Sequence, residues 1–337
     1  METPSSNHQL LDIVLWIWFA LTALCVAYVA YDQFKGGPKQ KENSLAMKTM
    51  RWGWVLVTFY TGPVGFIVYW LLHRAHAREM REQSEPSLWE QSVESTIHCV
   101  AGDATGILIA LVMMSWLRLP MGAELIAEYV AGFAVGLFLF QAVCMKSTFD
   151  GSYRRAVRGT FLPETLSMNA VMAGMIPVMI ILMSLDMSAM KPASVRFWGI
   201  TSLAVIISTV TTFPVNWWLV KRGLKHGMGG EGRASLRRSV SAASKLTAMF
   251  LTLVMLTVGI ILAAHYGNFS MRADNSMDKR PMSSRASLES AKSLDWSSIY
   301  KHVTWRQRDA LRESSPLTGN KNFLLTRNNV KTGIKTQ

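Results

Sequence analysis

The chain has 337 residues, half of them hydrophobic and only 17% charged, with 12 Trp and 21 Met; that balance excludes an ordinary soluble domain and points to an integral membrane protein. The 35 Lys+Arg against 22 Asp+Glu leave a formal charge of +13, concentrated in connecting segments and the C-terminal tail, which speaks for the lipid bilayer and its anionic headgroups and against nucleic acid as a partner. Cys25, Cys99 and Cys144 are an odd number without C-x-x-C spacing, which argues against a disulfide framework.

A membrane helix needs roughly 20 mostly apolar residues. Seven runs meet that length: Leu10–Tyr31, Trp52–Leu72, Ile97–Trp116, Ala123–Met145, Leu166–Leu185, Phe197–Val220 and Leu246–Ala264. The fold class expected is all-α, a polytopic bundle of about seven transmembrane helices with a disordered C-terminal tail. Residues 1–44 form a first helix and basic loop, 45–266 a six-helix membrane core, and 267–337 a polar, basic tail. The first run has no basic residue before it and ends at Tyr31-Asp32 without a small-residue cleavage site, so it reads as a retained helix and not as a signal peptide.

The second run holds Gly62-Pro63, the fifth Pro177 and the sixth Pro214; each proline leaves a backbone carbonyl unpaired and predicts a kink. His73–Thr96 is polar and charged, and reads as an interrupted amphipathic segment along the membrane surface. The third and fourth helices are joined only by Leu117–Gly122, so they are antiparallel neighbours. Gly102-xxx-Gly106 on one faces Gly132-xxx-Gly136 on the other as a small-residue packing seam. Asp150–Pro163 reads as a basic loop, with Glu164 placed to favour the positive end of the fifth helix. That helix carries Met168, Met172, Met175, Met179 and Met183 as one stripe, a pattern more often core filler than ligand set. The tail is weakly periodic and reads as mostly disordered, with a short basic amphipathic stretch around Ile299, Val303 and Trp305 suited to lipid.

Loops one, three and five hold 5, 1 and 2 Lys+Arg, and loops two, four and six hold 3, 4 and 7. The positive-inside rule then favours N-terminus in and C-terminus out in an inner (plasma) membrane, against the pull of the lysine-rich first loop and basic tail.

Ile97-His98-Cys99-Val100-Ala101-Gly102-Asp103 places an imidazole, a thiol and a carboxylate in an apolar run, where such groups are costly. With seven spans, His98, Cys99 and Asp103 share one membrane face with Cys144 and Met145, with Met168, Asn169 and Met172, and with Asn216. At about 1.5 Å per residue, all lie within roughly 10 Å of that surface, with His226 and Met228 just beyond. Thiols, imidazole and thioethers are soft or borderline ligands. The expected metal site is therefore His98, Cys99, Cys144, Met168 and Met172, with copper the preferred ion, and with Asp103 carrying a proton or compensating charge. Asn169 and Asn216 are read as structural, the latter as a cap for the carbonyl that Pro214 frees. Cys25 lies near the opposite face and reads as structural. No G-x-S-x-G, H-E-x-x-H or phosphate-cradling glycine loop is present, so the protein is not expected to be an enzyme.

Met47-Lys48-Thr49-Met50, Tyr60-Thr61-Gly62-Pro63, His98-Cys99-x-x-Gly102, Glu164-Thr165-Leu166-Ser167 and Phe213-Pro214-Val215-Asn216-Trp217-Trp218-Leu219 with Lys221-Arg222-Gly223 resemble the bacterial membrane family known as domain of unknown function 4396, over roughly residues 45–228. The resemblance implies no established activity. Fusion of some members to copper-binding oxidase-like domains implies a link to copper and to a metalloprotein or oxidase partner. Many members carry a second cysteine where this chain has Asp103, which implies a mixed or proton-linked site here. Three functions follow as expectations: binding and movement or delivery of a soft metal, a membrane scaffold that assembles a respiratory or oxidase complex, and a proton-coupled small-solute transporter using Asp103.

Overall fold

Apolar runs of this length satisfy their backbone within a bilayer by folding as helix, and the described residues contain helix and no strand. The computed structural model describes residues 6–36, 45–82, 86–117, 121–146, 149–225 and 240–267. Eight helices run through them: α1 (Ser6–Tyr31), α2 (Leu45–Thr61), α3 (Pro63–Glu82), α4 (Leu88–Leu117), α5 (Met121–Ala134), α6 (Tyr153–Leu185), α7 (Val195–Lys221) and α8 (Ala242–Tyr266). A π-helical stretch, Val135–Gln141, and a last turn, Ala142–Cys144, continue α5. Six helical segments are long and apolar enough to cross a membrane: α1, α4, α5 with its continuation, α6, α7 and α8. The multi-pass helical bundle stands, with six such segments where seven were expected. The tail, the stretch around Ile299, Val303 and Trp305, and His226 and Met228 lie outside the described residues.

The difference is the second run. Thr61 ends α2, Gly62 takes φ +59°, and Pro63 opens α3. This is the helix-stop and helix-start pairing of a left-handed Gly followed by Pro at the first helical position, and it turns the chain back where a kink was expected. Thr49 near the start of α2 bonds Cys144, and Phe34 and Trp52 rings meet 5.2 Å apart. At the tip, Tyr60 pairs with Thr105 at 2.7 Å, and Gly62 abuts Trp18 and Thr22 halfway along α1. On the return, Tyr69 stacks edge-on against Trp54 at 5.3 Å and donates to Asp32 at the end of α1. Thus α2 and α3 form a re-entrant hairpin that enters and leaves by the Cys144 face. Beyond its tip, α1, α7 and Tyr60 line an open apolar pocket of about 630 Å³ that includes Trp16, Phe19 and Trp198.

With six crossings, the first turns of α1 and the last turn of α8 lie at the same face, opposite the hairpin's entrance. There Arg196 at the start of α7 clasps Asp12 of α1 through Nε (2.7 Å) and Nη2 (3.0 Å), and Asp186 through Nη1 (2.9 Å). At the same face Gly267, after α8, packs on Ile180 of α6.

Two helices start earlier than expected. Ser87 and Glu90 form a capping interaction, with Ser87 N–H donating to Glu90 Oε2 at 2.7 Å; an S-x-x-E pair of this kind marks a helix start. So α4 begins at Leu88 and draws residues 88–96 out of the expected surface segment, while α3 takes up 73–82. Likewise α6 begins at Tyr153 and carries Pro163 and Pro177 inside it. Most of the expected basic loop 150–163 is helix, and Glu164 is an interior residue and not an N-terminal one.

The α4/α5 seam forms as the glycine spacing predicts. A Cβ on Gly102 would lie 2.8 Å from Gly136 Cα, and one on Gly106 would lie 2.7 Å from Gly132 Cα and overlap the Ala131 carbonyl. Backbone meets backbone there. Gly106→Leu is expected to force the helices apart at a cost of about 1–3 kcal/mol, read as a clear drop in the thermal unfolding midpoint of detergent-purified protein. The hairpin is tested by placing cysteines at Lys48 and Ser87 in a Cys25→Ala background. Both should react with a membrane-impermeant maleimide from the same side of oriented vesicles; reaction from opposite sides would show that 52–72 crosses after all.

Candidate intramembrane cation site

Asp103 sits halfway along the 30-residue α4, fully buried. A side chain at i lies over i+4 on a helix, and Cys99 Sγ accordingly bonds Asp103 Oδ2 at 3.2 Å. Gly136 of the π-helical stretch faces this pair, and its missing side chain leaves the space that Asp103 Oδ1 and Glu164 Oε1 occupy: a Cβ there would overlap both. Glu164, in the interior of α6, is also fully buried. Cys99 Sγ and one oxygen each of Asp103 and Glu164 lie within 4.8 Å of one another. The Asp103 and Glu164 side chains bond each other, and no further donor among the described residues reaches Asp103 Oδ1 or Glu164 Oε1.

A lysine completes the group. Helix α7 ends in a Schellman turn, with Leu224 N–H bonding Leu219 O at 2.9 Å and Gly223 N–H bonding Val220 O at 2.9 Å. Gly223 adopts the left-handed φ of +67° that the motif requires. The turn folds residue 225 back under the helix end, so Lys225 points inward and is only 3% exposed. Its Nζ donates to Ser167 Oγ (2.7 Å) and Asn216 Oδ1 (3.1 Å) and lies 3.5 Å from Glu164 Oε2. Burial works against the ammonium, but Cys99, Glu164 and Asp103 outweigh it and hold the Lys225 pKa above the ordinary lysine value. Ser167 also donates to Asn216 at 2.9 Å, and Asn216 Nδ2 donates to Thr96 Oγ1 at 3.2 Å. Four segments, α4, α6, α7 and the turn after it, therefore meet in one polar network.

The residues expected as one metal cluster are divided. Cys99 and Asp103 face Glu164. His98, one residue along α4, turns instead toward Cys144, with Nδ1 3.9 Å from Sγ, and tilts over Phe140 at 5.6 Å; its Nε2 has no partner among the described residues. That pair is not part of the 4.8 Å group. Met168 and Met172 are buried in the hydrophobic core, and Met168 Cε packs against Gly132. Asn169 links three helices, accepting from Tyr129 OH at 2.8 Å and donating to Thr252 Oγ1 at 3.3 Å. Asn216 spends its amide on Thr96, Ser167 and Lys225, not on the carbonyl that Pro214 frees. Cys25 is half-exposed on α1.

Glu164, Lys225, Ser167 and Thr96 are the members that sequence reasoning missed. Signals for two of them were present. Phe161-Leu162 ahead of Pro163 extend the apolar run upstream of Glu164, which makes it interior, and Gly223 two residues before Lys225 is the mark of a chain that folds back.

Searches of curated proteins and of solved structures each returned no match. Residues 88–225 match a family described as a domain of unknown function, narrower than the 45–228 resemblance and without the Met47–Met50 and Tyr60–Pro63 elements. The matched stretch begins at the first residue of α4 and ends on Lys225, so the part of the chain that is similar to domain of unknown function 4396 spans the whole carboxylate, thiol and lysine cluster.

Proposed function

We propose that the protein binds a divalent transition-metal cation inside the membrane at Cys99, Asp103 and Glu164, and transports it or hands it to a metalloprotein partner. What carries this reading is the convergence of one thiol sulfur and two carboxylate oxygens within 4.8 Å, fully buried, where the two carboxyls bond each other and have the Cys99 thiol and the Lys225 ammonium beside them. Adjacent buried carboxylates repel one another and are costly unless a cation or proton takes up their charge. One thiolate with two carboxylates is a borderline donor set suited to zinc(II) or a neighbouring first-row dication. Copper, favoured by the count of thiols, imidazole and methionines, draws less support, because Met168 and Met172 pack the core and Cys144 pairs with His98.

A second reading, proton-coupled transport of a small solute, is favoured by the carboxylate pair itself. Asp103 and Glu164 meet at Gly136 with one lysine, on Glu164, for two acids, an arrangement that suits a proton as well as a metal.

The re-entrant hairpin also bears on orientation. In sequence, the stretches between helix ends at the cluster's face (32–51, 73–87, 145–158 and 221–245) hold 19 Lys+Arg, the stretches between helix ends at the other (117–122 and 185–196) hold 3, and the tail that follows α8 holds 13. The lysine-rich first loop, which opposed the other loops in a seven-span reading, now agrees with them. The positive-inside rule places the cluster's face in the cytoplasm and both ends of the bundle outside an inner membrane.

The metal reading is tested on the detergent-purified full chain, loaded with zinc(II) or copper(I), desalted and assayed for bound metal. About one zinc per chain is expected, with Cys99→Ser and Glu164→Gln each weakening binding at least tenfold, about 1.4 kcal/mol. Copper retained without zinc would return the assignment to copper; protein free of both metals would overturn the reading. Uptake into proteoliposomes driven by a proton gradient and lost in Asp103→Asn, by such metal-free protein, would favour the second.

A further inference from the structure

The open pocket beyond the hairpin tip lies apart from the polar cluster, in the half of the bundle that the hairpin does not reach. We propose that it holds one acyl chain of a phospholipid from the leaflet opposite the cluster, and that this chain stands in for the half-crossing that α2 and α3 leave out.

The position of the pocket fixes what surrounds it. Trp16, Phe19, Ala23 and Val26 line it from α1 at steps of three and four, as one stripe of that helix. Val195, Trp198 and Ser202, in the first two turns of α7, line it from the bundle. Both helices are long and apolar enough to cross a membrane, and Trp16 and Phe59 on the rim are 65% and 57% exposed, so the opening meets hydrocarbon and not water. From Trp16 to Ala27 the α1 wall is roughly 16 Å long at 1.5 Å per residue, close to the roughly 15 Å of hydrocarbon in one leaflet. Its volume of about 630 Å³ falls within the usual range for sites that hold a small molecule.

The lining selects for hydrocarbon. Its hydroxyls are already bonded within the protein: Thr22 donates to Trp18 O and Thr201 to Phe197 O, each at 2.8 Å, Tyr60 pairs with Thr105 at 2.7 Å, and Ser202 accepts from Trp18 Nε1 at 3.3 Å. What the wall offers an occupant is apolar contact. Nor is α1 free to close the gap, because it is fixed to the bundle on either side of it. Toward its start Asp12 bonds Arg196 and Leu15 packs on Gly199; toward its end Tyr28 meets Phe66 edge-on at 5.4 Å and Asp32 accepts from Tyr69. Walls held apart in this way gain dispersion contacts only through an occupant. At the mouth, Trp198 Nε1 donates to Pro192 O at 2.8 Å, which holds the segment carrying the exposed Lys191 beside the pocket. An ammonium there suits the phosphate of the same lipid.

The test places the full chain in vesicles of phosphatidylethanolamine and phosphatidylglycerol, with a trace of phosphatidylglycerol that carries a diazirine on one acyl chain. After illumination, labelled residues are located by peptide mass spectrometry. Leu108 and Ser202 line the pocket but are buried, so bulk lipid does not reach them except through it. Their labelling is expected to exceed several-fold that of Ile107 and Val205, which are buried outside the pocket. Equal labelling of the two pairs would overturn the proposal. Ala23→Trp, which fills the pocket from α1, should remove the excess at Leu108 and Ser202 and leave unchanged the labelling of Phe250 on the exposed face of α8; an undiminished excess would overturn it. The wild-type comparison needs no variant, so the test survives if Ala23→Trp does not fold. Extraction of the purified wild-type protein identifies the native occupant: a retained phospholipid supports the proposal, and an isoprenoid quinone retained stoichiometrically in its place would overturn it.

Discussion

Asp103 and Glu164 meet across the backbone of Gly136, and the architecture around the site follows from that contact. Two carboxylates reach each other there because α4 and α5 touch backbone to backbone along Gly102, Gly106, Gly132 and Gly136, and because residue 136 has no side chain to stand between them. The helix continuing α5 widens into a π-helical stretch over Val135–Gln141, a local irregularity of the kind that often accompanies a site. Bringing these acids out of water is costly, and the surrounding residues offset that cost: a thiol on Asp103, an ammonium on Glu164, and hydroxyl and amide groups that tie the ammonium to α4, α6 and α7. Removing either acid would leave the thiol or the ammonium without its charged partner, so the acids are best regarded as a single element.

The hairpin gives the bundle a polar half and an apolar half. Entering from the cluster's face, α2 and α3 bring Thr49 to Cys144 and Tyr60 to Thr105, then turn back at Gly62. The half of the bundle beyond the turn has no equivalent element, and what remains there is the cavity lined by α1, α7 and the hairpin tip. The polar network, the basic segments and the hairpin's entrance share one side; the apolar cavity and the Arg196 clasp share the other.

Much of this was legible in the residues. The apolar runs identify six crossing helices because length and hydropathy are local properties, and the glycine spacings predict the α4/α5 seam because each helix carries its own small-residue stripe. Gly62-Pro63 is harder. The same dipeptide serves a kink or a reversal, and what decides between them is whether the chain finds partners on the way back, here Tyr69 with Asp32 and Trp54, which are distant in sequence. Glu164 was hidden by its neighbour, since Pro163 reads locally as a helix start. Here the freed backbone is absorbed within a 33-residue helix. His98 and Cys99 show the opposite limit. Adjacent in sequence, they point about 100° apart on a helix, so an inventory of soft ligands by depth alone merges two groups that the helix separates.

Two of the ion-paired cations, Arg196 and Lys225, illustrate how side-chain chemistry divides labour. Arg196 presents a planar fork, and the structure uses every edge of it: Asp12 takes two nitrogens, Asp186 a third, and Ser188 Oγ also lies 3.3 Å from Nη1. A guanidinium engaged on that many edges acts as a clasp, joining α1 to the start of α7. Lys225 has three donors on a flexible stem and meets acceptors that already have other partners. The fork suits a joint fixed on several edges, whereas the ammonium is a single point charge set against Glu164. The same helix, α7, carries the clasp at its first turn and the lysine just past its last, so the mechanical fixture and the charged occupant stand at opposite faces of one rigid element.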